Sequence, residues 1–405
     1  MIYQIYLMRK KVIKLKTKIG VIFGGKSVEH EVSVISALQA INNIDKDKYE
    51  IIPIYISKDR TWYVGEGLSK IENYKNIDML IKKCKPVCLC KINDEFCLLS
   101  ISGPIKKVIA KIDIAFPIVH GKNVEDGTLI GLLETIGIPY VGSGVIGSAI
   151  GQDKVIIKQI LSNNQIPVTD YIWFYDYEYL EEKELIKKQI KKLGYPVVVK
   201  PANLGSSVGI NYVKDEKTIE EALDEAVEYD RKILVEKAVE NLVELNCSVL
   251  GNYQNQETSA IEEVMGNHNI LTYEDKYISG NKKQGPSKGM LNTDRIIPAR
   301  ISKEITEEVE KLSKLTFKIL NLNGICRIDF LLDKKTKKLY VNEPNIIPGS
   351  LAFYLWEAKG KKYKELLNDL IENGMNNYKN SINKINSFDT SLLNNFNENN
   401  GIKYK

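Results

Sequence analysis

The sequence predicts an α/β protein of several domains, and three observations carry that expectation. Short apolar runs rich in β-branched residues alternate with amphipathic stretches of helical length, the pattern of helices laid over parallel sheets. At 405 residues the chain holds two or three domains of ordinary size, each long enough to bury a core. A hydrophobic share of 43% and a charged share of 27% lie near globular averages, which excludes a disordered or fibrous chain. No run approaches the roughly 18 apolar residues of a membrane span.

The elements follow in order. IGVIFGG (19–25) is the first strand, trailed by an amphipathic helix over 29–41 and a second strand, YEIIPIYIS (49–57). Strand signal returns in IDIAFPIVHG (112–121), then a helix over 127–137 and the short strand IPYVG. These make a first unit, 18–148, on a parallel sheet. A long helix after Gly147 opens a second unit, 149–239. There YPVVVKP (195–201) and GINYVKD (209–215) are strands joined by NLGSS, before a charged helix (216–229) and the strand KILVEKA (232–238). A third unit, 240–380, has strands at 243–251 and 257–264, a helix over 303–321, the strands GICRIDFLL and KLYVNEP, and two terminal helices. Within it, 266–295 is rich in Gly, Asn and Lys and too long for an ordinary connection, which predicts a lid or a disordered loop. A basic extension (1–17) and an Asn- and Ser-rich tail (381–405) flank the three units.

The formal charge of +5 is local. Arg9, Lys10, Lys11, Lys14, Lys16 and Lys18 stand in the first 18 residues without an acid, and the other 387 carry 51 bases against 52 acids. A body of that balance excludes a nucleic-acid-tracking surface. In the leader, apolar residues precede the charges, the reverse of a secretory signal. It reads as an extension without function, with a membrane-surface or targeting role as the alternative. Cys84, Cys88, Cys90 and Cys97 cluster as C-x3-C-x-C-x6-C, but zinc sites pair C-x2-C units and VCLC reads as a strand. The six cysteines therefore read as reduced, mostly buried thiols of a cytoplasmic protein, against a competing metal site.

Two phosphate motifs are present by pattern only. Gly20 to Ser27 matches G-x4-G-K-[ST], yet Val21, Ile22 and Phe23 continue the apolar strand instead of forming a nest of N–H groups. A P-loop using Lys26 stays open as a competing reading. Gly142 to Gly147 matches G-x-G-x-x-G, but no acidic residue follows about 20 positions on, so a tight turn and close helix packing fit better.

Three other elements converge on phosphate and metal. Lys200-Pro-Ala-Asn-Leu-Gly-Ser-Ser-Val-Gly209 joins two strands with small residues whose N–H groups and Ser206 and Ser207 hydroxyls can close over phosphate oxygens. Arg327-Ile-Asp329, with Glu343 and Asn345 around Pro344, offers hard oxygen donors suited to Mg²⁺, and alternation puts Arg327 and Asp329 on one face. A structural ion pair is the alternative there. Glu236-Lys237 and Glu244 suit adenine and ribose contacts, or a solvated strand end.

Together these segments resemble the ATP-grasp superfamily, and in detail the D-alanine–D-alanine ligase family with its D-Ala-D-X relatives. GGKSVEHEVS (24–33), HGKNVEDGTLIG (120–131), VGSGVIGSAIGQDK (141–154), KPANLGSSVG, VEKA, YEDKY (273–277), RIDF and NEPNIIPG follow that family's motifs in order. The resemblance implies a three-domain α+β architecture: a Rossmann-like N-terminal domain, a small lid domain and a C-terminal catalytic domain. It implies ATP and two Mg²⁺ ions, with Mn²⁺ as an alternative, a cytoplasmic location and a homodimer.

The implied reaction transfers the γ-phosphate of ATP to the carboxylate of one D-alanine, and the amine of a second attacks the acyl phosphate. The resemblance implies that Lys154 and Lys200 hold the α/β-phosphates, Glu236 and Lys237 the adenine side, and Glu244 the ribose. It implies that Asp329, Glu343 and Asn345 hold the metal, while Arg327 and the N–H of Gly349 meet the oxyanion. Glu29 corresponds to the carboxylate that binds the first substrate's ammonium, with Ser206 and Tyr277 as its hydrogen-bonded partners. Lys276 corresponds to a lysine near the transferred phosphate, and His120 to a histidine of the first-substrate site. Tyr354 and Leu355 stand where the family contacts the second substrate's carboxylate, Tyr354 in place of a serine. Val124, Ile130 and Pro344 also depart from the family pattern, and the lid sequence GNKKQGPSKGM is long and basic. A D-Ala-D-Ser or D-Ala-D-Lac ligase, and an ATP-binding paralogue without ligation, are the variants these departures keep open.

Overall fold

A computed structural model gives the fold and describes residues 16–206, 208–265, 295–385 and 387. Ser207, Lys276, Tyr277, the GNKKQGPSKGM segment, most of the basic leader and most of the tail lie outside the described residues.

The first sheet has seven strands: β1 (Thr17–Gly24), β2 (Tyr49–Ile56), β3 (Trp62–Val64), β4 (Lys85–Ile92), β5 (Glu95–Ser100), β6 (Val108–Ile112) and β7 (Ile114–Pro117). Their order is β6-β5-β4-β3-β2-β1-β7. Only β1 pairs in parallel, with β2 and β7; the others pair antiparallel, so the expected parallel sheet is a mixed one. Connection length decides this. Helix His30–Asn43 supplies the crossover that a parallel pair needs, whereas β4 and β5 are joined by Asn93-Asp94 alone, both at positive φ, a hairpin turn. IPYVG contributes a single bridge, Ala115 to Tyr140.

The long helix expected after Gly147 is two helices, Val145–Gln152 and Lys154–Asn163. Asp153 separates them in an extended conformation and accepts hydrogen bonds from Val155 N (3.0 Å) and Ile156 N (3.1 Å), a side-chain cap that restarts the helix. The second sheet runs β10-β9-β11-β8, all antiparallel, from β8 (Tyr171–Tyr175), β9 (Val197–Pro201), β10 (Asn211–Val213) and β11 (Lys232–Lys237). The third runs β14-β13-β12-β15-β16, from β12 (Leu242–Gly251), β13 (Gln256–Val264), β14 (Arg295–Ile296), β15 (Gly324–Asp333) and β16 (Leu339–Asn345).

The C-terminal helix Tyr363–Ile382 buries Leu366, Leu367, Leu370 and Ile371 in one apolar cluster with Ile19, Phe23 and Ile114 of the first sheet. This helix thus seals one face of the first sheet. Val124 and Ile130 are core side chains of a neighbouring cluster, which explains why apolar residues replace the family's Gly and Gln there.

Gly20 to Phe23 lie inside β1 and Lys26 is exposed, so no phosphate nest forms at that motif. At Gly147 a Cβ would stand 2.7 Å from the Asn321 carbonyl oxygen, the close packing expected. The thiols differ from expectation: Cys88 is exposed and Cys84 and Cys90 half-buried, leaving Cys97, Cys247 and Cys326 buried. Cys88, Cys90 and Cys97 lie on the β4–β5 hairpin, Cys90 directly opposite Cys97, and Cys84 precedes it. Among the described residues no group of three or more His, Cys, Asp or Glu side chains is arranged to hold a metal, and no helix is long and apolar enough to cross a membrane.

Candidate functional site

The first wall of the site is a corner of the first sheet. Gly24 ends β1 and Gly25 follows it, at φ 93° and 101°, a left-handed turn that carries the chain into the helix beginning at His30. Glu29 sits at that start, 9% exposed, and accepts a hydrogen bond from the Ser206 hydroxyl of the second unit. Gly121, at φ 82°, passes so close that a Cβ would lie 2.7 Å from Glu29 Oε2. Glu125 accepts hydrogen bonds from Gly121 N (2.7 Å) and Ile347 N (3.1 Å). Burial, with the Glu29 carboxylate beside it, pushes Glu125 up to about 8. His120 is buried with Nε2 3.2 Å from Ser36 Oγ, and burial lowers it to about 4, so the ring is neutral at pH 7.

The second wall carries the lysines. Lys154 opens its helix and lies 3.2 Å from Glu343, also donating to the Leu204 carbonyl at 2.7 Å. Lys200, on β9, reaches Glu236 Oε2 at 2.9 Å and Asn342 Oδ1 at 3.2 Å. Burial disfavours its charge, but Glu236 and Glu343 outweigh that and hold its pKa above the usual lysine value. Glu236 is no solvated strand end. It is 2% exposed and clamped between Lys200 and Lys158, whose Nζ lies 3.0 Å from Oε1. Burial alone would raise Glu236, and the two lysines instead hold it well below the carboxylate range. Lys237 donates to the carbonyls of Gly194 (3.1 Å) and Tyr195 (2.8 Å). Lys200, Glu236, Lys237 and Glu244 line one cleft with Ile210, Tyr212, Leu331, Asn342, Asp329 and Glu343, a slot of mixed apolar and charged lining.

The third sheet supplies the floor. Across β15 and β16, Arg327 faces Asn345 and Asp329 faces Glu343. Arg327, 5% exposed, makes a bidentate pair with Asp329 (2.7 Å twice), and Asn345 Nδ2 donates to Asp329 Oδ2 at 2.9 Å. Pro344 is on the edge strand, where a missing N–H is tolerated. After Gly349 the chain takes three consecutive left-handed residues, Ser350, Leu351 and Ala352, at φ 53°, 53° and 47°. Each such residue costs about 1–2 kcal/mol. Ser350 N is tied to Ser36 Oγ (2.9 Å), the same hydroxyl that meets His120. A strained turn held by a buried bond beside a cleft is a fixed backbone geometry.

A second cleft brings Glu29, His120, Glu125, Lys154, Ser206, Arg327, Glu343, Asn345 and Gly349 together. Tyr354 and Leu355 line neither cleft. The Tyr354 ring lies under the Arg295 guanidinium, 4.3 Å from its centroid, with its hydroxyl buried, and Leu355 is fully buried. Three further residues emerge only in space. Lys158 hides as one more lysine on a helix, and its spacing of four from Lys154 is the signal that puts both on one face. Asn342 and Glu125 lie within NEPNIIPG and HGKNVEDGTLIG, where residue type alone gives neither of them a role.

Comparison with known proteins identifies the family. Family models described as the D-ala D-ala ligase N-terminus and C-terminus match residues 18–143 and 160–372. A D-alanine–D-alanine ligase of Thermosipho melanesiensis is 41% identical over 377 residues, spanning 93% of this chain and 98% of the relative. The structure resembles the D-alanine-D-alanine ligase of Coxiella burnetii, at TM-score 0.76 and 28% identity over 91% of this chain and 96% of that one. It also resembles the Bacillus anthracis ligase solved in complex with ATP, at TM-score 0.63 and 28% identity over 90% and 99%. The chain belongs to the D-alanine–D-alanine ligase family and is an ATP-dependent ligase of the ATP-grasp fold.

Proposed function

We propose that the chain condenses two D-alanine molecules into D-alanyl-D-alanine, a peptidoglycan precursor, with hydrolysis of ATP to ADP and phosphate. The observation that carries this reading is one cleft lined by Glu29, Ser206, Arg327, Glu343 and Gly349, which come from distant stretches of chain. Lys154 lines the same cleft, and Lys200 the neighbouring one.

In this reading Glu29 receives the ammonium of the first D-alanine, and the Ser206 hydroxyl keeps the carboxylate aimed. Lys154 and Lys200 exchange their present carboxylate contacts for the α/β-phosphates, while Glu236, Lys237 and Glu244 face the adenosine end. A carboxylate oxygen of D-alanine attacks the γ-phosphorus, the bond to the bridging oxygen breaks, and ADP leaves. The amine of the second D-alanine then attacks the acyl phosphate carbon and loses a proton. Phosphate departs as the peptide bond forms. Arg327 and the Gly349 N–H are the donors for the oxygen that gains charge in that step.

Asp329, Glu343 and Asn345 fit Mg²⁺, being hard oxygen donors on adjacent strands that line the clefts. When bound, the metal neutralises phosphate charge. Ser207, Lys276 and Tyr277 keep the roles the resemblance implies, at the phosphates and beside Ser206. The same resemblance supports a homodimer working in the cytoplasm.

The test is product identity. Purified protein given ATP, Mg²⁺ and equal D-alanine, D-serine and D-lactate should yield D-alanyl-D-alanine by mass spectrometry, one phosphate per dipeptide. A dominant mixed product would move the second substrate, and no product from any of them would overturn the ligase reading.

A further inference from the structure

Lys158 lines neither cleft and is 1% exposed, yet its ammonium is fully engaged. It donates to Thr169 Oγ1 at 3.0 Å, lies 3.0 Å from Glu236 Oε1, and stands 5.8 Å from the centre of the Tyr171 ring. The other Glu236 oxygen is 2.9 Å from Lys200. One carboxylate therefore serves two lysines from opposite sides, one sealed behind the cleft and one in its wall. A buried charge without a partner is strongly disfavoured, so the balance within this trio decides what charge faces the cleft. With Lys158 protonated, Glu236 opposing the burial that lowers its pKa, the trio carries a net positive charge. Without it, Glu236 and Lys200 cancel.

We infer that Lys158 is a positioning residue for nucleotide binding, neutralising Glu236 from behind so that Lys200 has a positive charge to offer a polyphosphate. The first residue of the same helix is Lys154, so one helix supplies a lysine to the phosphate cleft and, one turn on, the counter-charge behind it. The inference rests on the reading of Lys200 as a phosphate-binding group.

The test separates phosphate affinity from nucleoside affinity, using calorimetric titration of the full chain with Mg²⁺ and either ADP or adenosine. Lys158→Met should weaken ADP at least tenfold and adenosine less than threefold. An equal loss for both ligands, the mark of a packing role, would overturn the inference, as would no loss. Adding Glu236→Gln to Lys158→Met removes the competing carboxylate and should return the ADP-to-adenosine ratio to within threefold of the parent. A ratio that stays depressed overturns it too. Lys158→Gln keeps a donor for Thr169 without the charge and carries the same test should the methionine variant not fold. Lys200→Met is titrated in parallel: if it leaves ADP affinity intact, the reading of Lys200 falls. If it weakens ADP while Lys158→Met leaves the ratio unchanged, only the inference about Lys158 falls.

Discussion

The two clefts solve opposite electrostatic problems. Around Lys200 the cations already have carboxylate partners inside the protein: Lys154 has Glu343, while Lys200 and Lys158 share Glu236. An arriving polyphosphate exchanges partners there, and no buried charge is created. In the corner, Glu29 and Glu125 crowd two carboxylates together, and Glu125 is pushed up to about 8 rather than paired with a cation. That corner gains from an arriving ammonium. A near-neutral body can thus bind an anionic cosubstrate and a zwitterion side by side, because selectivity comes from how each charge is partnered and not from net charge.

Substitutions can break or sharpen this contrast. The largest effect is expected at the floor of the second cleft: Arg327→Met should lower kcat by roughly two to three orders of magnitude, read as phosphate release, with both KM values nearly unchanged. Loss confined to KM would mean that Arg327 only binds. Next, Glu29→Gln should raise the KM of the first D-alanine by roughly 10- to 100-fold, the worth of a hydrogen bond to a charged group, and leave the KM of ATP unchanged. Lys200→Met should do the mirror image, raising the KM of ATP about tenfold with D-alanine unaffected. If either variant moves both constants equally, the two clefts are not independent.

The smallest effect concerns stability. His120 titrates at about 4 in the folded chain against 6.5 for an ordinary histidine, because burial disfavours the charged ring. Its stabilising contribution is complete above pH 6.5 and is lost as the pH falls toward 4, at most about 3 kcal/mol. His120→Gln should flatten the acid limb of the urea midpoint measured from pH 4 to 7, and an unchanged limb would place the sensitivity elsewhere.

Much of this was legible in order along the chain. Strand and helix positions followed from periodicity, and the phosphate loop and the Arg327–Asp329 face from residue chemistry. What was not legible depends on partners far away in sequence. Antiparallel pairing of β2 through β6 was hidden because connection length, and not strand composition, decides direction. Asp153 looked like one more polar residue within a helix until its carboxylate was seen capping Val155 and Ile156. Lys158 carries no signal of a role in the sequence, and the pairing that holds Glu236 between two lysines appears only in the fold. Tyr354 aligned with a substrate contact, but stacking under Arg295 turned its ring away from both clefts.

The hydrogen bonds that close the site span unusual stretches of chain: 177 residues between Ser206 and Glu29, 222 between Ile347 and Glu125, and 314 between Ser350 and Ser36. Contacts of such sequence separation repay their loop-closure entropy last. Glu29 and Ser36 leave the ribosome long before Ser350 exists, so the corner that holds them must wait for nearly the whole polypeptide. The catalytic geometry is consequently a late event in folding. Recovery of ligation after dilution from denaturant should lag behind recovery of secondary structure, which makes activity a report on complete assembly.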